Sequence, residues 1–259
     1  MYLRDVHAEK HIPTLYQFIK ENPLGLLITA LDSKTFQFLQ SSHIPWVLDT
    51  PEDDKTKLGT LRGHIARANP QAKSFTEVAK EAREGQNNAD GSHSLTRDVL
   101  VTFNGPAHHY VTPKFYTETK PASGKVVPTW NYSAVQVYGR ATIFYDTKAE
   151  STHTFLNKQI RDLTNHNEVE IMGNKEKPWV VEDAPESYVE ILKKAILGIQ
   201  IEISDIGGKW KMSQELPEGD QQGVINGFAK LDTELGKDMS ETVKARCTKK
   251  EAKAHVVRD

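Results

Sequence analysis

Strand-like segments separated by turn residues recur along this chain, and they restrict it to a mainly β fold. Two apolar segments, Leu24 to Ala30 and Thr35 to Leu48, flank Asp32-Ser33-Lys34, which is typical of a hairpin turn. Further segments rich in Val, Ile, Tyr, Phe and Thr run over residues 98–103, 108–112, 133–145 and 196–203. The first three of these and the two strands of the hairpin are predicted to belong to a six-stranded barrel.

Apolar residues also recur at helical spacing between the strand-like segments. Ile12, Leu15 and Ile19 predict a helix that ends at Asn22-Pro23, because the residue before a proline avoids the α region. Residues 65–68 predict a short helix that stops at Asn69-Pro70, which would place His64 at a helix N-terminus. Later helices are predicted over residues 147–165, over residues 186–195 and around Val224, Phe228, Leu231 and Leu235.

The chain is expected to fold as a single domain over residues 1–235. Residues 71–97 read as a polar insertion, because they contain a charged stretch and the loop from Gly85 to Ser92, which has no core-forming residue. Residues 236–259 are mostly charged and are expected to form a frayed C-terminal tail.

Composition excludes several classes of protein. The net charge of −2 argues against a nucleic-acid partner, since phosphate neutralisation needs an excess of Lys and Arg on one face. Cys247 is the only cysteine, so an internal disulfide and a multi-cysteine metal cluster are both excluded. No signal peptide and no apolar run long enough to span a membrane is evident. A soluble cytoplasmic protein is therefore expected.

Three motifs concentrate chemically active side chains. They are Gly63 to Pro70, Phe103 to Tyr116 and Val127 to Tyr132, and Lys211-Met212-Ser213-Gln214 follows late in the chain. A histidine can donate to an anion or present a ring nitrogen to a metal, so His64 is a candidate for either role. Its alternative role is to cap a helix or to join a hydrogen-bond network.

The second and third motifs suit a flat ligand. His108 and Tyr110 are predicted to share one face of a strand, with His109 on the other, because side chains alternate along a strand. In Trp130-Asn131-Tyr132 the two rings can stack on a planar cofactor while the amide hydrogen-bonds to it. The alternative is a buried corner in which the same side chains pack and satisfy backbone groups.

Taken in this order, the motifs resemble the PaiB-like family, usually labelled FMN-binding negative transcriptional regulators, from about Met1 to about Leu231. The resemblance implies an α+β (mainly β) fold, an FMN-binding-type split β-barrel with flanking helices, that forms a homodimer. One branch of the family, the piperazate synthases, uses haem instead of flavin. The chain departs from the usual family pattern at Phe115, Gln136 and Glu215, where tryptophan, histidine and asparagine are common.

The resemblance also implies roles for individual residues. By analogy with split-barrel flavoproteins, Arg62, His64 and Arg67 would contact the phosphate of FMN or the propionates of haem, since arginine pairs with either anion. His64 is also the expected axial ligand of the haem iron. The other expected cofactor-binding residues are Trp130, Tyr132 and Lys211, and the expected catalytic residues are His108, Tyr110 and Asn131. A lysine on an exposed strand, such as Lys211, can equally be only solubilising.

Four histidines near the expected cavity favour haem b over FMN: His43, His64, His108 and His109. The sequence therefore predicts a haem-dependent enzyme similar to piperazate synthase, which closes a nitrogen–nitrogen bond in an N-hydroxylated diamino acid. The alternatives are an FMN-binding oxidoreductase and a PaiB-like FMN-binding transcriptional regulator. A small-molecule substrate and no membrane partner are expected, and the lack of a recognisable helix-turn-helix argues against direct DNA binding.

Overall fold

The computed structural model describes residues 1–51, 54, 56–83 and 91–256. Its strands are β1 (Ala8–Glu9), β2 (Leu24–Ala30), β3 (Leu39–Pro45), β4 (Val47–Asp49), β5 (Thr60–Ala66), β6 (Ser92–Asn104), β7 (His109–Val111), β8 (Thr129–Phe144) and β9 (Ile196–Lys211). Its α-helices are α1 (Ile12–Glu21), α2 (Pro70–Arg83), α3 (Thr119–Ser123), α4 (Glu150–His166), α5 (Glu186–Lys194), α6 (Glu218–Ala229) and α7 (Glu234–Val256).

The chain divides into two compact units. The barrel unit contains residues 16–103 and 136–206, and the terminal unit contains Met1–Leu15, Asn104–Val135 and Gly207–Asp259. The single domain expected over residues 1–235 stays a prediction.

The barrel unit is built on a closed antiparallel sheet. Its strand order is β3-β2-β6-β8-β9-β5-β4, and only Trp46 separates β3 from β4. The two ends of the order are therefore one continuous stretch of chain, and six strands close into a barrel. The six-stranded barrel and the α+β, mainly β fold class are confirmed.

Trp46 fixes the point where this barrel closes. Its side chain is 1% exposed and packs against two glycines on neighbouring strands. A Cβ atom added at Gly25 or at Gly63 would lie 2.9 Å from a carbon of the indole ring, closer than side chains tolerate. Both glycines are therefore needed to admit the indole, which explains the glycine before His64 by packing alone.

The composition of the barrel differs from the prediction, because one segment assigned to it lies elsewhere and two of its strands were not assigned to it. The segment 108–112 contains β7, which pairs with β8 within the terminal unit. The strands that complete the barrel are β9 and β5, which pair with each other, and β5 also pairs with β4. The predicted helix over residues 65–68 was wrong: β5 continues to Ala66, and α2 begins at Pro70. Asn69 and Pro70 mark the start of a helix, as N-cap and first residue, because the Asn69 side chain accepts from the Gln71 N–H at 2.8 Å.

The predicted insertion and tail also contain regular structure. Within 71–97, helix α2 buries Ala72, Phe75 and Ala79 and β6 begins at Ser92, while residues 84–90 lie outside the described part of the chain. The frayed tail was wrong, because α7 continues to Val256. The segment is mostly charged, but an apolar residue recurs at every fourth position on one face of the helix, and these residues are buried: Met239, Val243 and Cys247.

Candidate functional site

His64 lies on strand β5, on the side of the barrel that faces α4. It pairs in register with Gly198, and paired residues share a face of the sheet. A Cβ at Gly198 would lie 2.5 Å from Cδ1 of Phe155, so α4 packs on that face. The Nδ1 atom of His64 is buried and has no hydrogen-bond partner among the described residues. Burial lowers the pKa of His64, so its imidazole is neutral at neutral pH, the form that ligates metals.

Arg67 follows directly after β5 and is only partly satisfied. Its backbone N–H donates to the carbonyl oxygen of Ala195 at 2.9 Å. Its Nε and Nη2 atoms are buried, and in the described part of the chain neither has a hydrogen-bond partner. Burial lowers the pKa of Arg67, and the charge of Asp146 offsets part of that effect. A half-buried guanidinium with two buried, unused donors fits an anionic group better than it fits an apolar core.

Arg62 has the opposite environment. Its guanidinium, 4% exposed, donates to both carboxylate oxygens of Asp49, to Asp162 at 2.6 Å and to Gln159 at 3.2 Å. Burial acts to lower the pKa of Arg62, but the two carboxylates outweigh it and the pKa is raised. These side chains occupy the hydrogen-bond donors of the guanidinium. The geometry therefore supports a structural role for Arg62 and does not support a contact with a cofactor anion.

The terminal unit carries an exposed aromatic face on β7 and β8, formed by His108, Tyr110 and Trp130. Tyr110 pairs in register with Trp130, and their ring centroids are 6.3 Å apart. His108 lies 6.2 Å from the same indole. Trp130 is 54% exposed and Tyr110 is 42% exposed, so the rings are open to a ligand. His109 is on the other face, where its ring meets Phe228 edge-on, as strand alternation predicted.

Asn131 is not accessible in this arrangement. Its side chain is fully buried, and its amide exchanges hydrogen bonds with the hydroxyl of Ser213 at 3.0 and 3.2 Å. Ser213 has a positive φ of 63°, unusual for a residue other than glycine. The geometry therefore gives Asn131 the task of holding a strained turn, and it does not support the expected direct catalytic contact.

Lys211 and Tyr132 lie in a cluster of ionisable side chains in the terminal unit. The ammonium of Lys211 donates to the Thr129 hydroxyl and to the Trp130 carbonyl oxygen at 2.9 Å. Burial lowers the pKa of Lys211, and the charge of Glu215 opposes that shift. The ammonium of Lys209 lies 5.4 Å from the centroid of the Tyr132 ring, in a cation–π contact. Lys211 thus fixes the backbone that presents Trp130.

Sequence reasoning missed two groups of residues. Asp49, Gln159 and Asp162 surround Arg62, and no pattern in the sequence links positions about a hundred residues apart. His7 is buried and lies 3.0 Å from the carboxylate of Glu215, which holds the pKa of Glu215 below its usual range against the opposing effect of burial. The sequence drew attention to Glu215, because asparagine is common at that position in the family that the chain resembles. Nothing in the sequence drew attention to its partner His7.

Neither a metal cluster nor a membrane helix is present in the described part of the chain. No group of three or more His, Cys, Asp or Glu side chains there could hold a metal ion. No helix among the described residues is long and apolar enough to cross a membrane. His43, the fourth histidine of the expected cavity, is an exposed residue on β3.

Comparison with known proteins assigns a family. The family model described as a putative FMN-binding domain matches residues 1–205. The chain belongs to this family. An uncharacterized protein of Aspergillus fumigatus is 54% identical over 263 residues, covering 98% of this chain and 100% of the relative. The Bacillus subtilis protease synthase and sporulation protein PAI 2 is 27% identical over 250 residues, covering 96% and 99%. The resemblance to PaiB-like proteins is therefore confirmed.

Among solved structures, the FAD and heme binding protein from Mycobacterium smegmatis is similar with a TM-score of 0.42 and 10% identity. The similarity covers 79% of this chain and 73% of that one.

Proposed function

We propose that this member of the FMN-binding family is a haem-binding enzyme in which His64 is the axial ligand of the iron and Arg67 pairs with a haem propionate. The observation that carries the proposal is a pair of unsatisfied groups at the end of β5. The Nδ1 of His64 and the Nε and Nη2 of Arg67 are buried without partners among the described residues. Buried polar groups are rarely left unpaired, and an unpaired one indicates strain, a catalytic role, or a bound water, ion or ligand.

Haem accounts for both groups. A neutral imidazole is the form that binds iron, and burial keeps His64 neutral. A carboxylate or phosphate satisfies the free edge of Arg67. When bound, haem would supply a Lewis-acidic iron to a substrate. The chain would supply the ligand at His64 and the charge of Arg67, while α4 packs over the neighbouring sheet and limits the access of water.

FMN is the second candidate cofactor. It is favoured by the family model, whose description names FMN, and by Arg67, whose unused donors suit a phosphate as well as a propionate. With FMN the neutral His64 would be a hydrogen-bonding neighbour of the phosphate. The protein would then be an oxidoreductase, or a PaiB-like regulator that binds FMN.

For the haem form we propose the chemistry of the piperazate synthase branch. One amine nitrogen of an N-hydroxylated diamino acid attacks the hydroxylated nitrogen, the nitrogen–oxygen bond breaks, and the amine proton leaves with the hydroxyl group as water. No external oxidant or reductant is consumed. The catalytic roles expected for His108 and Tyr110 stay predictions, and both rings are exposed on the terminal unit.

An absorption spectrum of the purified protein tests the choice of cofactor. We expect a Soret band after expression with sufficient iron, or after titration of the apoprotein with haemin. Binding of haem with a fixed stoichiometry of one per chain is the predicted result. Two visible bands of oxidised flavin without a Soret band would instead support the FMN-binding alternative.

A further inference from the structure

Helix α5 turns a polar face toward α4. Glu186, Val189, Glu190 and Lys193 recur three and four positions apart, so they lie along one face of α5. Lys193 shows that this face is turned toward α4, because its side chain is 5% exposed and its ammonium donates to the Asn157 side chain on α4 at 2.6 Å. The two helices thus meet through charged and polar groups, whereas a surface helix usually turns apolar residues inward.

A groove of about 380 Å³ lies along this contact, within the barrel unit. Small-molecule sites usually measure ~300–1,000 Å³, so the groove suits a ligand smaller than haem or FMN. Neither His64 nor Arg67 is among the described residues that line it, so the groove is separate from the proposed cofactor site. Four half-buried aliphatic side chains contribute to its lining: Ile160, Val181, Ala184 and Val189.

Two ion pairs account for four of the charged residues that line the groove. The Nε of Arg161 donates to Glu182 at 2.6 Å, and Lys193 forms an ion pair with Glu190. The hydrogen bond from Lys193 lowers the pKa of Glu190, so this carboxylate is ionised at neutral pH. Glu186 also lines the groove and has no ion-pair partner among the described residues. Its negative charge favours a ligand with a cationic group.

Lys193 and Asn157 keep unused hydrogen-bond donors beside one another. An ammonium has three N–H donors, and Asn157 and Glu190 accept two of those of Lys193. The third has no partner among the described residues, and the same is true of the side-chain amide nitrogen of Asn157. A buried ammonium is stabilised when an anion accepts its remaining donor. Both residues line the groove, so a carboxylate bound there can accept from both.

We propose that this groove binds a free α-amino acid with an aliphatic side chain. The ligand's carboxylate accepts from Lys193 and Asn157, its ammonium donates to Glu186, and its side chain packs on the aliphatic lining. The spacing along α5 agrees with this ligand. The ammonium of Lys193 meets Glu190, and Glu186 lies four positions before Glu190, about one helical turn of 5.4 Å away. The adjacent charged groups of an amino acid bridge that distance with a hydrogen bond at each end.

Calorimetric titration of the full wild-type chain tests both charged contacts without any variant. The probes are L-leucine, L-leucinamide, which lacks the carboxylate as the start of a peptide does, and N-acetyl-L-leucine, which lacks the ammonium as the end of a peptide does. We expect saturable binding of leucine at one site per chain, and binding of each analogue about tenfold weaker or more, because each loses one charge-assisted contact. Absence of saturable leucine binding, or an analogue that binds as tightly as leucine, would overturn the proposal.

Two substitutions then locate the site. Lys193→Met removes the ammonium and keeps an unbranched apolar side chain, and Glu186→Gln removes the charge at an exposed position with little change of shape. Each should weaken leucine binding roughly ten- to a hundredfold. Lys194→Met is the matched control and should bind like the wild type, because Lys194 is exposed and is not among the described residues that line the groove. Wild-type affinity for leucine in either Lys193→Met or Glu186→Gln would contradict the proposed site.

Discussion

At the scale of single residues, two arginines five positions apart have opposite environments. Arg62 is saturated by Asp49, Asp162 and Gln159, whereas Arg67 keeps buried donors without partners among the described residues. We expect Arg62→Ala to lower the free energy of unfolding by about 2–3 kcal/mol, the value of hydrogen bonds to charged groups. The cost stays below that of a fully buried ion pair, because the Asp49 and Asp162 side chains are 43% and 35% exposed.

Arg67→Ala, in contrast, should weaken cofactor binding and not the stability of the fold. Loss of a half-buried cation, two of whose donors have no partner among the described residues, should leave the stability of the apoprotein unchanged or slightly higher. Affinity for the cofactor should fall roughly ten- to a hundredfold, because one charge-assisted pair is lost. Urea unfolding and cofactor titration of both variants check the pair of predictions. If Arg67→Ala unfolds easily and still binds cofactor with wild-type affinity, Arg67 is a structural residue.

At the scale of elements, periodicity predicted strands and helices well where the pattern was local. The hairpin of β2 and β3 and the helices α1, α4 and α5 were predicted close to their observed positions. The predicted boundary between β5 and α2 was wrong, because residues 65–68 fit a helix locally while pairing with β9 keeps His64 to Ala66 extended. The partners of Arg62 on α4 were missed for a related reason, since they come together with it only in the folded barrel.

Helix α7 provides a test at the same scale. Met239 is fully buried within this helix, which the charged composition had concealed. Met239→Ala should lower the free energy of unfolding by about 2–5 kcal/mol, the usual cost of removing a large buried side chain. Lys237→Ala, at an exposed position of the same helix, is the matched control and should change it by less than about 0.5 kcal/mol. Equal stability of the two variants would show that α7 does not pack in solution.

At the scale of the whole molecule, family motifs gave more of the candidate site than composition did. The motif from Gly63 to Pro70 contains both groups that the structure leaves unsatisfied, His64 and Arg67. The expectation of one histidine-lined cavity was less informative, since His43 is exposed on β3 and His109 packs against Phe228. Counting histidines ignores the strand face on which each one lies, and only the paired register supplies that information.

The central claim is that His64 ligates a haem iron, and the spectrum of His64→Ala tests it most directly. We expect this variant to remain folded, to bind little haem, and to regain part of the Soret band when imidazole is added, because a small base can occupy the vacated ligand position. His43→Ala, which removes an exposed histidine of the same unit, should bind haem like the wild type. An unchanged Soret band and haem content in His64→Ala would contradict the claim.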